Sequence, residues 1–408
     1  MWGEIRPTLV PARACAWRLS PSVCGVLSSC RSWPGSSSFS RKLPSVPRSS
    51  RVIGGKLTDV SRGRYIALDS ALLSTLLSVN VRFESSALMA PSKKHHFLPV
   101  FYLSRWTGEH GTLIEYKRPY QNRVRSKERH PQGTGYIERL YAVEGLPDVV
   151  ANEMEHQFFS PVDGRAASAL VRMLKYASLT DRQAEAWVDF LASLLFRMPN
   201  DVDTFRTLTA ELASKLASVL QPVYDGLHPL PEKRDFENIA REVGAQAAID
   251  LIRQAITDGR FKTSILGMRW RVIDSGEQLL LTSDRPVVHT PNLVGDGAGI
   301  MLPVSPTKLF VATSGDEADR EVASAPPHVL AQAMNAAIVG RARRIVVAQS
   351  RCHEEYIQDT FGTDDSPSLA DRLADVQRQQ LPTIMAALKL QADKTLRARL
   401  GESKARVK

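Results

Sequence analysis

Histidine, arginine and carboxylate occur at separated points of the chain in settings where each could do chemistry. His95 and His96 stand in "KKHHFLPVFYLSRW" over residues 93–106, directly before Pro99 and a dense aromatic-apolar run. Imidazole can bind a metal or pass protons near neutral pH. A helix starting at Pro99 would turn its positive end toward the pair and disfavour imidazolium, keeping a histidine neutral, as a ligand or base must be. Neighbours in an extended segment point to opposite sides, so at most one of the two faces a given site. Asp284 ends the apolar run in "LLLTSDRPVV" (279–288), and Arg197 lies in "FRMP" (196–199). Glu155 sits in "NEMEHQFF" (152–159), which lacks the two histidines four residues apart of a zinc-protease helix.

Together these residues, with either His95 or His96, suit a metal-assisted hydrolase or nuclease. A histidine, Asp284 and Glu155 would hold a divalent metal or act as acid and base, while Arg197 would clamp an anionic group of an otherwise unspecified ligand. A structural alternative exists for each. One histidine would be hydrogen-bonded in the core and the other at the surface. Asp284 would bond backbone amides where the chain leaves a sheet. Arg197 would complement a helix C-terminus. The second class of function is therefore a non-catalytic binding or regulatory domain. Convergence of a histidine, Asp284 and Arg197 on one place would favour the enzyme.

No phosphate-binding Gly-rich loop, dinucleotide fingerprint or Gly-x-Ser-x-Gly elbow is present. The net charge of +10 is unevenly distributed. Residues 1–88 hold 12 Lys and Arg against 4 Asp and Glu, leaving 41 and 39 of the chain's 53 and 43 to residues 89–408. That nearly neutral body argues against a strong sequence-independent nucleic-acid binder. Only Cys352 lies beyond residue 30, which fits a reducing, cytoplasmic setting and leaves no zinc module of cysteines. It reads as a buried or partly buried thiol. No apolar run is long enough to span a membrane.

Residues 1–88 are rich in Ser, Arg and Pro, have no acid between Glu4 and Asp59, and lack periodicity before about residue 65. Three readings fit them: an organellar transit peptide, a disordered arm, or sequence upstream of a true start at Met89, the last being favoured; each leaves a disordered extension over 1–88 and a single domain over 89–408.

The elements that must position the candidate residues follow from periodicity. A helix is expected from Pro99 through Trp106, a strand at 112–118, an extended loop over 119–135 and a short strand at 136–143. One or two helices cover 148–178 with a break near "FFSPVDG", where Asp163 can start the second. Thr180 is a good cap for a helix over 181–198, whose residues Ala184, Val188, Leu191, Leu194, Leu195 and Met198 share one face. Helical patterning continues over 208–223 and 236–257. Two strands flank Ser275-Gly276 as a hairpin, and two more flank Ser305-Pro306. A helix, a strand at 343–349 and a final helix interrupted at Pro382 complete the chain. The expected class is α+β, mainly helical, with a small, mostly antiparallel sheet.

Taken in order, these landmarks resemble the domain-of-unknown-function family 4238. "KHHFLPVFYLSRW" is similar to that family's opening His-x-x-Pro-x-Phe-Tyr-Leu block. "FRMP" resembles its Arg-x-Pro at the end of a central helix, and "LLLTSDRPVV" its apolar-Thr-Ser-Asp-x-Pro strand. "PVSP" at 303–306 and Asn335 ahead of an Ala-Arg-apolar strand resemble its last two blocks. The resemblance covers about residues 93–350. It implies a domain and no particular reaction.

Overall fold

The computed structural model describes residues 93–120, 123–142, 153–227 and 236–406; the extension expected over residues 1–88 lies outside them. The fold is α+β, mainly helical, and its sheets are small and antiparallel. Strand β1 (Lys94–His96) leads through Pro99 into a single turn of helix, α1 (Val100–Leu103), which tightens to a 3-10 turn over Ser104–Trp106. The Ser104 hydroxyl bonds back to the Val100 carbonyl at 2.7 Å, a competition for the backbone that ends the short helix. Phe97, Leu98, Tyr102, Leu103 and Trp106 are all buried, so this brief segment docks as an anchor.

Strands β2 (Leu113–Tyr120) and β3 (Arg123–Arg129) form an antiparallel hairpin, which corrects the expected loop over 119–135. β3 reads "RVRSKER" and has almost no apolar residue to reveal it. It pairs through its backbone at the edge of a sheet ordered β3-β2-β10-β6, where charged side chains are the usual protection. β4 (Tyr136–Glu138) returns to pair with β1 in a separate two-stranded sheet.

The helical block opens with a π-helical turn, Glu153–Phe159, that runs directly into α2 (Ser160–Leu174). The expected break near Pro161 is thus a change of winding: the proline, which offers no N–H to the turn before it, stands where the π-helical turn gives way to α2. α3 (Asp181–Phe196) starts at a complete capping box between Thr180 and Gln183. It is buried well beyond one stripe, with Trp187, Phe190 and Leu191 fully enclosed. α4 (Pro199–Leu227), α5 (Phe236–Thr257) and α6 (Gly259–Leu266) follow.

β5 (Arg269–Asp274) and β6 (Thr282–Ser283) are not a hairpin. β5 pairs with β9, and β6 pairs with β10 in another sheet. The bend at Gly276, with φ of 69°, is real, but the chain beyond it hydrogen-bonds the turn at Pro306-Thr307 and then leaves for the second sheet. β7 (Val288–His289), β8 (Gly299–Ser305) and β9 (Lys308–Thr313) complete the sheet ordered β5-β9-β8-β7, with the expected turn at Pro306. α7 (Asp316–Ser324), α8 (Pro327–Arg341), β10 (Ile345–Ala348), α9 (Glu354–Thr360) and α10 (Leu369–Arg406) close the chain. α10 continues through Pro382 without the expected interruption. Cys352 is exposed rather than buried. Among the described residues no helix is long and apolar enough to cross a membrane.

Two large apolar cores hold these layers, beside a small cluster of Ala213, Ala217 and Ala240 on α4 and α5. The larger joins α1 to α2, α3, α5 and the inner face of β8. The smaller lies between β2, β10 and β9 on one side and α8 on the other.

Candidate active site

β1 sends its two histidines to different surroundings, as alternation along an extended strand requires. His95 is 1% exposed. Its Nδ1 accepts the Tyr141 backbone N–H at 3.2 Å, and its ring stacks on the Tyr141 ring with centroids 5.4 Å apart. This is a packed core histidine. The apolar run after Pro99 leads one to expect a histidine of the pair against the sheet that ends at Ser283-Asp284. His95 is buried, but against β4 and Tyr141; Tyr102 is the residue that reaches that sheet, at Thr282.

His96 is half-buried, with its ring 5.5 Å from that of Tyr136, and its Nε2 has no hydrogen-bond partner. Its backbone N–H donates to Glu155 Oε1 at 3.4 Å, which joins β1 to the π-helical turn. Burial lowers its pKa; a backbone hydrogen bond with Gln132 works in the opposite direction, and the charges of Lys94 and Arg197 lower it further. The imidazole is therefore held neutral, as the sequence leads one to expect, though mainly through burial rather than a helix dipole.

Glu155 projects from the π-helical turn. Such widened turns recur at functional sites because they redirect one side chain out of helical register. Burial pushes its carboxyl up to about 7, against the opposing effects of Arg197 and of the His96 N–H; Asp163 adds to the rise. Glu155 Oε2 is buried without a partner.

Arg197 caps the C-terminus of α3 and is fully buried. Its guanidinium does not turn back to the last carbonyls of the helix. Nη1 donates to both oxygens of Asp163, at 2.9 and 3.2 Å, and the group lies between the rings of Phe159 and Phe190 at 5.5 and 5.6 Å. The Tyr141 hydroxyl instead caps α3 by donating to the Arg197 carbonyl at 3.2 Å. Nε and Nη2 of Arg197 have no partner. A buried guanidinium with two unused donors normally costs free energy, so their orientation requires a purpose. Asp163, which orients the guanidinium, and Tyr141, which holds the Arg197 backbone, are not singled out as site residues by sequence reasoning. Asp163 is legible only as a helix-starting acid, and Tyr141 only as one apolar position among several.

Asp284 keeps other company. Its carboxylate accepts the backbone N–H groups of Arg343 (3.1 and 3.3 Å), Arg344 (3.0 Å) and Ile345 (3.1 Å). Burial raises its pKa, and the three amides oppose that rise. Its oxygens are committed to fixing the turn between α8 and β10, and no His95, His96 or Arg197 group is among its partners. Ser283 and Asn335 serve the same junction: the Ser283 hydroxyl donates to the Ile338 carbonyl, and the Asn335 amide bridges Leu279 and Leu281. The structure thus brings His96, Arg197 and Glu155 together and sets Asp284 in a separate network, so the convergence expected of a histidine, Asp284 and Arg197 is not met, and any acid–base reading rests on Glu155 in place of Asp284. Among the described residues no three His, Cys, Asp or Glu side chains are placed to hold a metal ion.

A family model described as "Protein of unknown function (DUF4238)" matches residues 94–352, a span that contains every residue of both networks named above. No curated protein and no solved structure matches the chain.

Proposed function

We propose, for a chain that belongs to the DUF4238 family, that His96, Glu155 and Arg197 form the acid–base centre of an enzyme acting on a small anionic substrate. The observation that carries this reading is the set of four buried, unpartnered polar atoms on three neighbouring residues: His96 Nε2, Glu155 Oε2, and Arg197 Nε and Nη2. They offer one proton acceptor, one proton donor and a fixed pair of N–H groups to the same small region. Acid–base chemistry suits this set better than metal-assisted chemistry, because a guanidinium already supplies the positive charge and only one imidazole and one free carboxyl oxygen stand beside it.

In this reading the substrate's carboxylate or phosphate binds the two free Arg197 donors. Asp163 and the flanking rings of Phe159 and Phe190 hold that fork still. His96 Nε2 takes a proton from the attacking water, and the protonated Glu155 carboxyl gives one to the leaving oxygen or nitrogen. The proton on His96 afterwards returns to Glu155 through solvent, so the cycle balances. Two groups whose surroundings move their pKa values past one another, histidine downward and glutamate upward, are what simultaneous acid and base catalysis near neutral pH needs. The substrate is small because the centre is largely buried, and the nearly neutral body supplies no track for a nucleic acid. We place this activity in a single domain over residues 89–408 in the cytoplasm, where one exposed cysteine, Cys352, is ordinary.

The test is hydrolysis of alkyl esters that carry a free carboxylate, whose alkoxide leaving group needs the proton that Glu155 supplies. Turnover is expected to be bell-shaped in pH, with the alkaline limb near 7 set by Glu155. His96→Gln and Glu155→Gln should each lower it by roughly 10²- to 10⁴-fold while remaining folded. Turnover that is absent throughout, or unchanged in both variants, would defeat the reading.

A further inference from the structure

A second group of charged side chains collects about Asp201 in the first turn of α4, and the acid–base centre does not use it. Arg341 ends α8, Arg372 lies in the first turns of α10, and Arg285 follows β6. Arg341 and Arg372 are half-buried, and the Nε of each is buried without a partner. Neither guanidinium has a hydrogen bond or ion pair to any described residue. Arg285 makes one long contact, 3.5 Å to the Ser366 carbonyl. The charges of Arg285 and Arg372 both bear on Arg341, and the carboxyls of Asp364 and Asp201 offset them only in part. In the same place Asp201, 4% exposed, has a buried Oδ1 without a partner. Its surroundings include the Ser368 side chain and the charges of Arg285 and Asp371. His289 stands by Arg341 and Arg372, its Nδ1 2.8 Å from the Thr290 carbonyl.

A buried Nε–H without a partner on each of Arg341 and Arg372 is costly unless an anion completes it. Three cations gathered in one place also repel, and Asp364, Asp371 and Asp201 compensate them only in part. A dianion with several oxygens resolves both costs, and the planar forks of arginine match phosphate oxygens two at a time. We propose that Arg285, Arg341 and Arg372 form a second site that binds the phosphoryl group of a small phosphorylated ligand, with Asp201 and His289 supplying neutral hydrogen-bond partners at its wall. The surroundings support those neutral roles: burial pushes Asp201 up to about 7 and His289 down to about 4. This also gives Asp284 a part. By holding the amides of Arg343, Arg344 and Ile345 it fixes the chain just after Arg341, and it directly precedes Arg285; it is a positioning residue for this site.

The experiment is calorimetric titration of the full chain with inorganic phosphate at low ionic strength, with sulfate and chloride for comparison. Saturable binding of phosphate, preferred over chloride, is expected. Arg341→Gln and Arg372→Gln lie on different helices, and each should weaken binding at least tenfold with an unchanged circular dichroism spectrum. Should either fail to fold, Arg285→Gln, in the loop after β6, carries the same expectation. Lack of saturable phosphate binding by the wild type would overturn the proposal. So would binding that is lost in Arg197→Gln but retained in Arg341→Gln and Arg372→Gln, since that would assign the anion to the acid–base centre. Failure of ester hydrolysis alone leaves the phosphate result to stand by itself.

Discussion

The pairing of His96 with Glu155 works only because burial acts on the two side chains in opposite directions. Glu155 has its carboxyl raised from 4.5 to about 7 in the folded chain. Between those values the folded protein holds a proton that the unfolded chain has already released. Stability therefore falls as pH rises through this window and stays lowered above it. Glu155→Gln removes the effect. The variant should gain on the wild type by about 2–3 kcal/mol between pH 4 and pH 8, measured by urea unfolding at each pH. Asp201 is raised in the same direction but is common to both proteins, so it cancels in the difference. Parallel curves would mean that Glu155 titrates as an ordinary surface acid. Histidine, arginine and carboxylate are all legible in the sequence as residue types. Which of them meet is not, since Asp284 and Glu155 look equally suited until the three amides around Asp284 are seen to occupy it. The orphan atoms of Arg197 are likewise a tertiary property, set by where Asp163 and two phenyl rings lie.

Among the elements, α3 bears the most of this architecture. It carries Arg197 at its C-terminal cap and packs Trp187, Phe190 and Leu191 into the larger core. Leu191→Ala should destabilise by about 2–5 kcal/mol, as full burial of that side chain requires, in a denaturant titration. A cost under about 0.5 kcal/mol, typical of surface sites, would place the stripe in water. This helix is legible because its period, its Thr180 cap and its length all agree. β3 is not, because an edge strand of Arg, Lys and Glu stabilises itself through backbone pairing and shows no apolar alternation. β5 and β6 show a different limit. Gly276 announces a bend, but a bend does not say which strand lies beyond it, and here the two belong to different sheets.

At the scale of the whole molecule, the opening segment ties the sheets together. The Tyr102 hydroxyl donates to the Pro303 carbonyl of β8 at 2.8 Å and accepts from the Thr282 hydroxyl of β6 at 2.7 Å, so one buried side chain spans two sheets. The Trp106 indole adds a bond to the Leu280 carbonyl at 3.3 Å. Tyr102→Phe keeps the ring and strands both partners, which predicts a loss of about 1–3 kcal/mol read from the shift in unfolding midpoint at constant slope. A neutral outcome would show that the sheets are joined by apolar packing alone. The apolar run after Pro99 points to a docking segment. Its role as a link between sheets depends on two strands about 180 and 200 residues away, which no local pattern records.

The central claim is that Glu155 and His96 exchange their ordinary order of protonation within one buried centre. Carbon-13 titration of the Glu155 side-chain carboxyl, assigned by its absence in Glu155→Gln, tests this most directly. The predicted midpoint is about 7, with the His96 ring in the same sample titrating below its usual 6.5. A Glu155 midpoint in the ordinary range near 4.5, with His96 at or above 6.5, would contradict it.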